Sequence, residues 1–236
     1  MHKHNFLLSL ITVMTILASA EAKGERVQGN EGEMPRLVVN ILIDQLRSDY
    51  LETFSPLYVE DGFQQLLRDG CYYRQAVYTV VPRDRAVGIA TLATGTTPSN
   101  HGIVGERFLH RETLRPTVAV EDATVQGRGT TDRFSPASLL VTTLADELKL
   151  ATGGHAYVVS IAPQATMAIL SGGHAADQAV WIDDRNGQWV TSSYYGELPL
   201  WAGLRNTQQS IDRRLAAGTW QPLQRNKPTV LLNGTT

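Results

Sequence analysis

Residues 37–43, Leu-Val-Val-Asn-Ile-Leu-Ile, form a nearly continuous apolar run that ends on a carboxylate, Asp44. Such a run suits a central strand covered on both faces, as in parallel sheets flanked by helices. The segments after it alternate. Phe63 to Asp69 reads as a short helix stopped by Gly70, and Tyr72 to Val80 as a second strand. Ala86 to Thr94 reads as a helix with Gly95 just past its end. Ser135 and Pro136 suit the start of a longer helix, with Leu140, Leu144 and Leu148 along one face and an end near Gly153. Strands are expected at Ala156 to Ile161, Ala168 to Leu170 and Ala179 to Ile182. The turn Asp183-Asp184-Arg185-Asn186-Gly187 leads into Gln188 to Thr191, a hairpin partner. This alternation predicts an α/β fold with a mainly parallel sheet and flanking helices. Past Leu204 the pattern assigns no elements.

The N-terminus has a separate character. Lys3 and two histidines precede the apolar stretch Phe6 to Ala18, and Ala18-Ser19-Ala20 places small residues at a cleavage position. That is the layout of a bacterial Sec-type signal peptide. The stretch is short for the roughly 20 residues of a membrane span, and Glu21, Lys23 and Glu25 follow at once. The expected organisation is a signal peptide at 1–20, a Gly-rich charged linker at 21–34, an α/β domain at 35–204 and a tail at 205–236. The protein is then secreted or periplasmic, with no membrane attachment after cleavage. A net charge of −2 gives no electrostatic case for nucleic acid or an anionic membrane. Cys71 is the only cysteine, which excludes an intrachain disulfide, and a buried structural thiol is expected.

Asp44 follows the apolar run directly, so it belongs at the carboxyl end of a strand, where α/β proteins place ligands. A carboxylate there can hold a divalent metal, and it can equally serve as a loop acid or helix cap. The second informative stretch is VVPRDRAVGIATLATGTTPSNHGIVG, residues 80–105. Asp44-Gln45 after a strand, followed by TG-x-x-P-x-x-HGI at Thr94 to Ile103, resembles the alkaline phosphatase superfamily. The likeness is to its nucleotide pyrophosphatase/phosphodiesterase branch and to the secreted alkaline phosphatases of Bacteroidetes bacteria. The stretches at 135–152, 168–184 and 191–201 fit the same pattern, so the resemblance runs from about Pro35 to Trp201. It covers the family's N-terminal half only.

The resemblance implies a two-metal phosphoryl transferase, in which a zinc-activated Thr or Ser hydroxyl attacks phosphorus. Asp44 matches a metal ligand of the family's first half. The family's nucleophile pattern, PT-x-T-x-P-x-H, departs here: Pro82 is followed by Arg83-Asp84-Arg85-Ala86. Arg85 stands at the nucleophile position, and a guanidinium has no hydroxyl and stays protonated. Asp84 is a weak substitute as a carboxylate nucleophile, and Thr91 lies further along. Glu106 stands where the Bacteroidetes enzymes carry a phosphate-contacting Asn. Pro163-Gln164-Ala165-Thr166 carries none of the positive charge that the family places there.

The remaining family ligands, D-x-x-x-H, D-H and a late His, have no counterpart among His2, His4, His101, His110, His155 and His174. Zinc, the family's metal, is therefore not expected to bind. Glu106 and His110 have a spacing that could share a helix face, whereas His101 and His174 read as packing or hydrogen-bonding residues. Asp44 is then a remnant that Arg85 could hold in place of metal. These features point to a catalytically inactive, secreted homologue with a binding or scaffold role, and a protein partner is expected to cover the sheet edge that a partial fold exposes. Two alternatives stand beside it. One is an active phosphomonoesterase or phosphodiesterase with a rearranged site, and the other is an anion-binding module using Arg83 and Arg85.

Overall fold

The computed structural model describes residues 35–77, 84–208 and 210–219. The chain divides into two compact units, residues 1–41 and 42–236. Of the first unit only 35–41 are described; they form neither helix nor strand, and Leu37, Val39 and Ile41 are exposed. The signal peptide and linker expected at 1–34 lie outside the described residues. Among the described residues no helix is long and apolar enough to cross a membrane.

The second unit begins with two short helices, α1 (Ser48–Thr53) and α2 (Phe63–Asp69). Gly70 ends α2, as its sequence indicates. The helix α3 (Arg85–Thr94) is capped by Asp84, whose side chain accepts the Val87 N–H, and is closed by Gly95 at φ 67°. A one-turn helix α4 (Pro98–His101) leads to an antiparallel hairpin, β1 (Arg107–His110) with β2 (Arg115–Val118). After β3 (Gly127–Arg128) come helix α5 (Leu144–Ala151), strand β4 (Val159–Ile161) and helix α6 (Ala165–Gly172). Then β5 (Gln178–Asp183) and β6 (Gln188–Ser192) form a hairpin, and α7 (Leu200–Gln208) and α8 (Ile211–Ala217) follow.

The α/β arrangement is present. The main sheet runs β3-β6-β5-β4. Its β4–β5 pair is parallel, with α6 as the crossover, while β5–β6 and β6–β3 are antiparallel. The core lies between this sheet and helices α3 and α6. Ala86, Ile89 and Ala90 meet Ala168, Ile169 and Leu170 above Ala179, Trp181 and Val190. The small side chains of α3 and α6 let the two helices approach closely, and Trp181, 2% exposed, fills the layer beneath. The α7 residue Asn206 mimics a strand, donating to the Trp189 carbonyl and accepting the Trp189 N–H, both at 2.8 Å.

Several expectations need correction. Residues 37–43 form no strand, and Ile43 is half exposed. An apolar run becomes a strand only where a neighbour supplies the ladder, and among the described strands none pairs with it. Residues 71–77 are likewise not a strand, and 78–80 lie outside the described residues. Ala168 to Leu170 is helical rather than extended, because a short fully apolar run carries no period of its own. The helix expected from Ser135 starts only at Leu144, and Leu140 and Leu144 are exposed. The strand expected from Ala156 is confined to Val159–Ile161. Cys71 is exposed, not buried, as are the described residues around it, 70–77.

Candidate functional site

Asp44 sits in a turn just after Leu42, which packs on the core, and Gln45 beside it takes a left-handed φ of 60°. Non-glycine residues seldom adopt that region, so the turn is held by its surroundings. Arg85 is the first residue of α3. Its Nε donates to Asp44 Oδ2 at 2.6 Å, and its Nη1 donates to the side-chain carbonyl of Gln164, which immediately precedes α6. One guanidinium therefore joins the Asp44 turn, the start of α3 and the start of α6. Both members of the ion pair are about one third exposed, 29% for Arg85 and 35% for Asp44.

Asp84 is fully engaged. Its Oδ1 accepts the Val87 N–H at 3.1 Å and its Oδ2 accepts the Glu106 N–H at 2.7 Å. The first bond caps α3 and the second ties that cap to the chain entering β1. Thr91 Oγ1 is 3.2 Å from His101 Nε2, and His101 Nδ1 accepts the Ile103 N–H at 3.1 Å. His101 is completely buried, and burial lowers its pKa from the ordinary value. It thus acts as a hydrogen-bonding core residue.

His174 is structural too. Its Nε2 lies 3.0 Å from the Leu139 carbonyl and its Nδ1 3.4 Å from Asp146 Oδ2. Glu106 and His110 do not share a helix face: Glu106 precedes strand β1 and His110 ends it. Arg83 lies outside the described residues, and Arg85, its expected companion in anion binding, is committed to Asp44 and Gln164.

Sequence reading found Arg85 and Asp44 but treated Asp183-Asp184-Arg185 as a plain turn. In the structure Arg185 is a hub. It donates to Asp183 through both Nε and Nη2, and to Thr130, Thr131 and Asp132. The Arg185 hydrogen bonds pull the Asp183 carboxyl well below the usual carboxylate range despite its burial. Glu106, Gln164, Thr166, Trp181 and Asp183 line a pocket of about 360 Å³ beside this hub. Only an acidic residue followed two places later by an arginine hinted at the network. A second pocket, about 480 Å³, is lined by Asp44, Asp84, Arg85, Gly88 and Met167.

A zinc ion asks for at least three protein ligands. Asp44 has a guanidinium on one oxygen, and among the described residues no three His, Cys, Asp or Glu side chains converge. The donors present there do not fit such an ion.

The alkaline phosphatase PafA of Elizabethkingia meningoseptica is 34% identical over 223 residues, covering 92% of this chain and 39% of PafA. Alkaline phosphatase PhoV of Synechococcus elongatus is 34% identical over 210 residues, covering 86% of this chain and 38% of PhoV. A protein of Myroides odoratus named as a calcium-transporting ATPase is 36% identical over 224 residues, 93% of this chain and 40% of its own length. The crystal structure of wild-type PafA superposes with a TM-score of 0.77 at 36% identity, covering 83% of this chain and 38% of PafA. The chain thus spans about two fifths of the length of these relatives. The profile of the type I phosphodiesterase / nucleotide pyrophosphatase family matches residues 38–232. The chain belongs to that family, within the alkaline phosphatase superfamily, and is similar to its bacterial alkaline phosphatases.

Proposed function

We propose that this chain is a catalytically silent, exported member of its phosphoesterase family that serves as a binding or scaffold protein. The observation that carries the reading is Arg85 itself. It opens α3 at the position where the family resemblance calls for a hydroxyl nucleophile. A guanidinium cannot attack phosphorus. Neither neighbour offers a replacement. Both oxygens of Asp84 hold backbone N–H groups, and Thr91 lies six residues further along α3, its hydroxyl against the fully buried His101. Glu106 adds a carboxylate beside Gln164, where a phosphate would meet repulsion rather than support.

Export rests on the layout of residues 1–20, and a binding role on the side of β4 that no described strand pairs. That strand has β5 as its one neighbour among the described strands, and its Val159 and Ile161 are about half exposed. Unpaired strand edges of this kind are natural sites for another chain.

The test is aryl-phosphate hydrolysis and metal content, measured on the chain from Glu21 onward with added zinc. Turnover no greater than that of a denatured control, without stoichiometric zinc, supports the reading. Chelator-sensitive turnover would overturn it and favour a rearranged active site.

A further inference from the structure

Arg85 occupies an electrostatically awkward position. It is the first residue of α3, where the helix dipole disfavours a cation. Its side chain is nevertheless turned inward, to partners that lie 41 and 79 residues away in the sequence. One partner is a carboxylate and the other an amide oxygen. Gln164 precedes α6 without using its side chain as the cap, so that its carbonyl is left for the guanidinium. The planar fork of an arginine presents donors in two directions at once, which matches two acceptors on two different segments.

The same place is where the resemblance puts a divalent metal ligand, Asp44. The donors needed for a metal are absent among the described residues, whereas the bonds needed for a guanidinium are present. We propose that Arg85 is the resident cation of this site: it takes the place of a metal ion, fastening the Asp44 turn to the start of α6. A protein built this way draws no folding stability from divalent metal, because its cation is covalently part of the chain. The proposal rests on the same reading of position 85 as the proposed function. It concerns stability rather than turnover, so the two can fail separately.

The experiment is urea unfolding of the full chain and four variants, Arg85→Met, Arg85→Lys, Asp44→Asn and the Arg85→Met/Asp44→Asn double, each with zinc and with EDTA. The unfolding midpoint of the parent is expected to be the same in both. Arg85→Met and Asp44→Asn are each expected to lower the folding constant about threefold to tenfold, as for a partly buried ion pair. The double variant should then lose about as much as Arg85→Met alone, because that substitution already removes both guanidinium bonds. Arg85→Lys keeps the charge but not the fork, so it should fall between parent and Arg85→Met.

Additive losses in the double variant would overturn the proposal, as would a parent midpoint that zinc raises and EDTA lowers. Should Arg85→Met fail to fold, Arg85→Lys and the zinc and EDTA arms of the parent still decide. Hydrolysis of an aryl phosphate by the parent would end the reading of a silent enzyme without touching these unfolding results.

Discussion

Thr143 and Asp146 cap α5 reciprocally: Asp146 Oδ2 accepts the Thr143 N–H at 2.8 Å, and Thr143 Oγ1 accepts the Asp146 N–H at 3.2 Å. Asp146 also reaches across to accept the Ala175 N–H at 2.6 Å, so one carboxylate organises both α5 and the turn after α6. Asp146 is only 3% exposed. Burial alone would raise its pKa, but the N–H groups of Thr143 and Ala175 outweigh it, and the carboxyl lies below its ordinary value. A depressed folded-state pKa adds stability that is present above the unfolded value, near 4, and lost as pH falls through the folded one. Asp146→Asn is expected to cost about 1–3 kcal/mol at neutral pH. It should also flatten the acid limb of stability below about pH 4, which urea midpoints taken across that range will measure.

Gly173, at φ 72° and ψ −156°, ends α6 in a conformation reserved for glycine. A methyl group there would also run into Thr143 Oγ1 and the Asp146 carboxylate. Gly154, at φ 85°, has no atom within 4 Å of the same position. Alanine at Gly154 should cost only the backbone penalty, about 1–2 kcal/mol. Alanine at Gly173 should cost more than about 3 kcal/mol, since strain and overpacking combine. Equal losses in thermal unfolding would show that the capping carboxylate gives way.

Adjacent residues of β6 differ in how their hydroxyls are satisfied. Thr191 Oγ1 donates to the Ala179 carbonyl at 2.7 Å, whereas the buried Ser192 Oγ has no partner among the described residues. Ser192→Ala should therefore be neutral or stabilising by up to about 1 kcal/mol, while Thr191→Val should lose about 1 kcal/mol. A clear loss in Ser192→Ala, read from denaturant midpoints, would mean that its hydroxyl is bonded.

The exposed thiol of Cys71 should react with a disulfide reagent in the native protein at one equivalent per chain. Labelling that appears only after addition of denaturant would restore the buried thiol expected from the sequence.

Local signals carried much of this fold. The helix Phe63–Asp69 ends where Gly70 stands, and the β5–β6 hairpin follows the turn residues Asp183 to Gly187. The start of α5 misled because two hydroxyl residues compete for it. Ser135 gives its hydroxyl to Asp122 at 2.5 Å, and Thr143, with an acid three residues on, is the cap. The run at 37–43 misled because its composition suits a buried strand, whereas no described strand pairs with it. At the candidate site, opposite charge made the Asp44–Arg85 pair legible. Gln164 as its third member was not, because a neutral side chain gives no sequence signal for a long-range bond.

The two bonds of Asp84 also link motions. Opening the first turn of α3 frees the carboxylate that holds the Glu106 N–H, so the Val87 and Glu106 amides should exchange with solvent as one unit. The entry to β1 then breathes at the rate of a helix start rather than at that of its own short hairpin.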